Sequence, residues 1–139
     1  MSHAIRIHQY GGPDTLQWDE IDVGTPGPGQ VRLKQTAVGL NFIDVYHRTG
    51  LYPLPLPCVP GMEAAGIVEQ IGDGVKHLKP GDRVAYAMVI GAYAETRLIA
   101  ADQVVKLPDA IDDRTAAAML LQGMTARYLD PRYLQGGAR

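Results

Sequence analysis

Glycine and proline recur so closely in the first two thirds of this chain that no long helix fits there. Gly11-Gly12-Pro13, Gly24-Thr25-Pro26-Gly27-Pro28-Gly29, Gly72-Asp73-Gly74 and Lys79-Pro80-Gly81-Asp82 all read as tight turns. Between them run alternating stretches. Val31, Leu33, Gln35 and Ala37 alternate with Arg32, Lys34 and Thr36, the clearest half-buried strand. Ile5 with Ile7, Leu16 with Trp18, and Val84 with Tyr86 and Met88 have the same spacing. Ile21 and Val23 continue the second stretch in a shifted phase, which a bulge would absorb. Further strands are predicted from Glu63 to Gln70, Gly91 to Ile99 and Val104 to Leu107. Many short strands at close turn spacing predict a mainly β fold, a small barrel with a few helices.

The period changes twice. After Gly39, Asn41 is a cap for a short helix through Tyr46 that places Phe42 and Val45 on one face and ends near Gly50. Asp112 or Asp113 caps a longer run from Arg114 to about Leu129, rich in Ala, Met and Leu. Pro131 fits a helix end at Asp130. Between Leu51 and Pro60, prolines alternate with apolar residues. That pattern suits neither a ladder nor a helix interior, so a stiff extended loop lying against the body is expected.

Bulk properties narrow the function classes. A net charge of -2 carries no footprint for nucleic acid or an anionic membrane. A single cysteine, Cys58, forms no intrachain disulfide. No leader-like start and no run near the length of a membrane helix is present, so a cytoplasmic location is the expectation.

Five segments, in order, carry a resemblance: Val38-Gly39-Leu40-Asn41-Phe42-Ile43-Asp44, Arg48-Thr49-Gly50-Leu51-Tyr52-Pro53, Pro60-Gly61-Met62-Glu63-Ala64-Ala65-Gly66-Ile67-Val68, Lys79-Pro80-Gly81-Asp82-Arg83-Val84 and Gly91-Ala92-Tyr93-Ala94-Glu95. Together they resemble the catalytic domain of medium-chain dehydrogenases/reductases, in the quinone oxidoreductase branch. The resemblance covers most of residues 4 to 128. It implies a GroES-like, partly open β-barrel over residues 1–129, with 130–139 as a non-matching tail.

Zinc-dependent relatives hold their catalytic metal with a Cys after the third strand and a His in a Gly-His-Glu motif. Those positions here are Asn41 and Met62, neither a competent zinc ligand at such a site, and His3, His8, His47 and His77 lack paired ligand spacing. No metal is therefore expected. A quinone is already electrophilic and becomes aromatic on reduction, so hydrogen-bond donors suffice at its oxygen. The implied reaction is hydride transfer from NADPH to a small-molecule quinone. The choice of NADPH over NADH is a family inference.

Each candidate residue has two readings. Asn41 is either a polar contact to nicotinamide or substrate oxygen, or a helix cap. Asp44 either orients neighbouring donors or is a first-turn acid favoured by the helix dipole. Tyr46 and Tyr52 either point hydroxyls into the cleft or pack; the resemblance places the Tyr52-Pro53 loop beside the substrate pocket. Thr125 matches a family position near the nicotinamide, and is otherwise a plain helix residue. Asn41, Tyr52 and Asp44 are thus the catalytic candidates, and Asn41, Tyr46 and Thr125 the cofactor candidates. Glu63 is expected to anchor a loop, Cys58 to be an inert packed thiol, and Tyr93 to pack in a strand. Met62 departs from the small or polar residues of related quinone reductases, which leaves the pocket shape open.

Gly27-Pro28-Gly29 and Gly72-Asp73-Gly74 lack the third glycine and the following helix of a dinucleotide fold. NADPH is therefore expected to be bound mainly by a domain outside this chain. The chain alone is expected to be inactive, an excised or truncated piece or a stand-alone relative. Its exposed inter-domain face would favour self-association, and the parent is expected to be a homodimer. Two alternatives remain: a non-catalytic GroES-like binding or assembly module, and part of a zinc-free enoyl or ketone reductase.

Overall fold

A computed structural model describes residues 1–130; the remainder of the tail, 131–139, lies outside the described residues, as do the readings made for it. Seven strands and two helices follow in the order β1 (Ser2–Ile7), β2 (Leu16–Ile21), β3 (Gln30–Val38), α1 (Phe42–Thr49), β4 (Glu63–Ile71), β5 (Arg83–Ala87), β6 (Thr96–Ala100), β7 (Val105–Lys106) and α2 (Asp113–Leu129). β1 and β2 form a two-stranded sheet, and the other five strands form a second in the order β6-β3-β4-β5-β7. The two sheets are open and do not close into a barrel through one ladder. Every strand pairing among the described residues is antiparallel, so they contain no strand-helix-strand crossover of the dinucleotide-binding type.

β1 connects the sheets. Ile5 N–H donates to the Tyr93 carbonyl at 2.8 Å, Glu95 N–H to the His3 carbonyl at 2.9 Å, and Ile7 and Cys58 exchange bonds of 2.9 and 3.1 Å. The alternation in β3 holds: Val31 and Leu33 are fully buried and pack with Val68, Val84, Tyr86 and Ile99 in the main core. Its register against β4 shifts twice, between Arg32 and Leu33 and between Gln35 and Ala37.

α2 covers the opposite face of the large sheet through alanines. Ala116 and Ala117 pack on Ala65 and Ala85. Asp112 is its cap, accepting from Thr115 N–H at 2.9 Å. Asp113 accepts from Thr36 Oγ1 at 2.6 Å and from Arg83 Nε and Nη2 at 2.9 and 2.6 Å, which ties the first turn to the sheet. The second half of α2 leaves the body; Met124, Tyr128 and Leu129 are exposed.

Four expectations change. β2 pairs with β1 in unbroken register from Leu16 to Ile21 with no bulge, and Val23 lies beyond it. Leu16 and Trp18 are exposed, so burial does not enforce their phase. The stretch from Gly91 to Glu95 is not a strand; β6 begins at Thr96, and Val105–Lys106 is all that remains of the last one. The proline loop meets the body only in part: Leu51, Tyr52 and Leu56 are exposed, whereas Pro60 is buried.

Candidate active site

α1 begins where β3 ends, and its first turn carries two of the candidates. Asn41 occupies the cap position in extended conformation, and Asp44 returns its carboxylate to the start of the helix: Oδ2 accepts from Asn41 N–H at 3.0 Å. Asp44 N–H in turn donates to the Asn41 carbonyl at 3.0 Å. Asn41 and Asp44 thus form a capping box at the start of α1. The Asn41 Nδ2 donates to Glu63 Oε2 at 3.0 Å.

Glu63 is the centre of the arrangement. At 1% exposure it is among the most buried residues, and its other oxygen, Oε1, accepts from the Leu121 N–H of α2 at 2.6 Å. One carboxylate therefore joins the start of α1 to the middle of α2. The expectation that Glu63 anchors structure agrees with this geometry. The approach is close: a Cβ on Gly39 would lie 2.2 Å from the Ala117 carbonyl oxygen and 2.6 Å from Glu63 Oε2.

Asp44 is 5% exposed and takes a second donor, Tyr93 Oη at 2.8 Å, while its Oδ1 finds no partner among the described residues. Tyr93 was expected to pack in a strand. Its backbone is instead in the loop before β6, and its hydroxyl completes the polar line Tyr93–Asp44–Asn41–Glu63–Leu121. Partial burial, then the Asp44 carboxylate as acceptor and as charge, push the Tyr93 phenol well above its ordinary value near 10. A raised folded value gives stability that is full below about pH 10 and lost as pH climbs through that value. Tyr93→Phe is therefore expected to lose less stability than wild type between about pH 8 and about pH 11, read by urea unfolding at both values. Equal losses would place Tyr93 outside the buried network. Tyr86 contributes with the same sign, since burial raises it too, against the opposing Arg97 charge.

Tyr46 and Tyr52 form a separate aromatic group beside this line. Their rings meet edge to face at 5.2 Å, Phe42 stands 5.2 Å from Tyr46, and Tyr52 N–H donates to the Tyr46 carbonyl at 3.1 Å. Tyr52 is 51% exposed. Thr125 is exposed and donates its hydroxyl to the Leu121 carbonyl of its own helix at 3.0 Å. It lies one turn beyond the Glu63 tie and takes no part in the Asn41 hydrogen bonds. The structure thus joins Asn41 to Asp44 and Tyr46 to Tyr52, and sets Thr125 apart.

Met62 is buried next to Glu63. No three His, Cys, Asp or Glu side chains among the described residues group in a way that could hold a metal ion. Cys58 is half-buried; burial raises its thiol pKa, with Arg6 opposing, which fits an inert thiol. No described helix is long and apolar enough to cross a membrane.

A cleft of about 410 Å³ opens near the Tyr93 end of this line, with Trp18, Thr36, Val38 and Glu95 in its walls. Its lining is mostly apolar and includes none of Asn41, Tyr46, Tyr52 or Thr125.

Similar proteins share this framework. A 2-haloacrylate reductase from Burkholderia sp. is 47% identical over 137 residues, and a quinone oxidoreductase from Pseudomonas aeruginosa is 48% identical over 131. Each alignment takes 93% of this chain but only 41% and 40% of the relative. The crystal structure of a Pseudomonas syringae quinone oxidoreductase superimposes with a TM-score of 0.90 at 44% identity, covering 93% of this chain and 40% of that one. The Escherichia coli quinone oxidoreductase, solved in complex with NADPH, gives 0.89 at 47% identity, covering 91% and 40%. The chain therefore spans about two fifths of the length of these relatives. The family described as the alcohol dehydrogenase GroES-like domain matches residues 27–109, and with the fold in agreement the chain belongs to that family.

Proposed function

We propose that residues 1–129 are the substrate-side domain of a zinc-independent, NADPH-dependent quinone oxidoreductase, with the tail from 130 outside it. The observation that supports this reading is Asn41: its amide is held by Glu63, at the position that the family resemblance matches to a metal ligand of zinc-dependent relatives. A donor set of Asn41, Met62 and a fully engaged Glu63 does not fit zinc.

The same residues fit one side of a nicotinamide. Asn41 stands at the start of α1 with its amide held by Glu63, and the Phe42, Tyr46 and Tyr52 rings offer an aromatic wall. When bound, the cofactor supplies the hydride. This chain's own part is to place the quinone, exclude water from one side and present hydroxyl donors to its oxygen from Tyr46 or Tyr52. Asp44 holds Asn41 and Tyr93 in register. Because only one side is present, the chain alone is expected to bind NADPH weakly and turn nothing over. The other side belongs to a domain outside this chain, in a homodimeric cytoplasmic parent.

The test grafts residues 1–129 in place of the matching part of the Escherichia coli quinone oxidoreductase. NADPH-dependent reduction of 1,4-benzoquinone is expected, unchanged by EDTA, and Asn41→Ala is expected to lower kcat/KM about 100-fold. Absence of quinone turnover, or activity that needs zinc, would overturn the proposal. The similarity to a 2-haloacrylate reductase favours a second reading, an electron-poor alkene as hydride acceptor. Turnover of 2-chloroacrylate but not benzoquinone would select it.

A further inference from the structure

The loop that carries Tyr52 is held by a residue outside the site. Tyr10 lies in the turn after β1. Its hydroxyl donates to the Leu54 carbonyl at 2.7 Å and accepts from the Leu54 N–H at 3.0 Å. Both backbone groups of one residue are thus satisfied by a single phenol, which among uncharged side-chain oxygens needs the ability to donate and accept at once. Leu54 sits between Pro53 and Pro55, which have no N–H to give, so its own N–H is the donor available at the middle of the loop.

Tyr10 is itself tightly placed. Its ring lies over Gly50, where an added Cβ would stand 2.8 Å from Tyr10 Cγ; Gly50 also ends α1 with φ at 81°. The next residue joins the same helix end: Gly11 N–H donates to the Arg48 carbonyl at 3.1 Å, and Arg48 Nη1 donates to the Gly11 carbonyl. The N-terminal turn, the end of α1 and the proline loop form one locked corner. Tyr52 lies two residues from Leu54, with its N–H on Tyr46 and its ring against the Tyr46 ring.

We propose that Tyr10 is a positioning residue, a latch that fixes the 51–57 loop through Leu54 and so holds Tyr52 against Tyr46. Its functional meaning rests on the reading of Tyr52 as part of the substrate pocket; its geometry does not.

Amide exchange and NMR on the full 139-residue chain test the latch without any turnover, so a failed quinone assay and a failed latch give different results. In wild type, the Leu54 amide is expected to exchange at least about tenfold more slowly than in an unstructured peptide. Tyr10→Phe keeps the ring over Gly50 and removes the hydroxyl. It is expected to abolish that protection and weaken the Tyr46–Tyr52 ring cross-peaks, while the core amides of Leu33 and Val68 stay protected. Leu54→Pro removes the N–H but keeps the carbonyl that accepts from Tyr10 Oη, and is expected to weaken the ring cross-peaks by less than Tyr10→Phe. An unprotected Leu54 in wild type, or cross-peaks unchanged in both variants, would overturn the proposal.

Discussion

Glu63→Ala is expected to lower the unfolding free energy by about 3–5 kcal/mol, the largest loss from any single side chain of the site. Truncation leaves the buried Asn41 Nδ2 without its acceptor and cuts the tie to the part-buried Leu121 N–H of α2. The orphaned donor costs about 1–3 kcal/mol, and the lost tie and the space left by the carboxylate add to it. Against a total stability of roughly 5–15 kcal/mol for a domain, this brings the chain close to unfolding. Glu63→Gln is the informative companion, because its amide oxygen still accepts from one donor while its NH₂ faces the other. An intermediate loss is expected. Urea midpoints followed by circular dichroism measure all three proteins; a loss below about 1 kcal/mol for Glu63→Ala would show that the carboxylate does not join the two helices.

The same residue shows where sequence reading reaches its limit. Turn chemistry and period revealed the strands around the core, because Val31, Leu33 and Val84 must alternate to face one interior. Caps revealed both helices, because Asp112 or Asp113 and Gly50 stand where orphan backbone groups need partners, and the structure selects Asp112. Asn41 as a cap and Asp44 as a first-turn acid were each legible at the helix start, but not the bond between them. The partners that make them a site were not. Tyr93 reaches Asp44 across 49 positions, and Glu63 reaches Leu121 across 58. No local pattern encodes such distances.

The residues from Gly91 to Glu95 misled for a related reason. Ala92 and Ala94 are buried and Tyr93 half-buried, which mimics a strand. Their backbone bonds, however, go to Gly61, Pro60 and β1 rather than to a continuous ladder. In β2 Leu16 and Trp18 are exposed, so their phase carried no information about a core. Thr125 was legible only through the resemblance, and its hydroxyl is spent within its own helix.

Gly39→Ala is expected to cost about 3 kcal/mol, although it adds a single methyl. The added Cβ would stand 2.2 Å from the Ala117 carbonyl oxygen, and a backbone atom inside a helix cannot swing aside as a side chain does. α2 must move away from β3, which strains the 2.6 Å bond from Leu121 N–H to Glu63 and shifts the turn carrying Thr125. Gly123→Ala is the control within the same helix. Nothing lies within 4 Å of its added methyl, so the helix-propensity gain of up to about 1 kcal/mol is expected there. The double variant Gly39→Ala with Glu63→Ala separates the two contacts. Removing the carboxylate relieves the 2.6 Å clash with Glu63 Oε2 but leaves the one with Ala117. Gly39→Ala is therefore expected to remain destabilising in that background, by less than in wild type, with a coupling of about 0.5–3 kcal/mol. Full additivity would mean that Glu63 and α2 respond independently, and that the seat of α2 on the sheet does not set the geometry at Asn41.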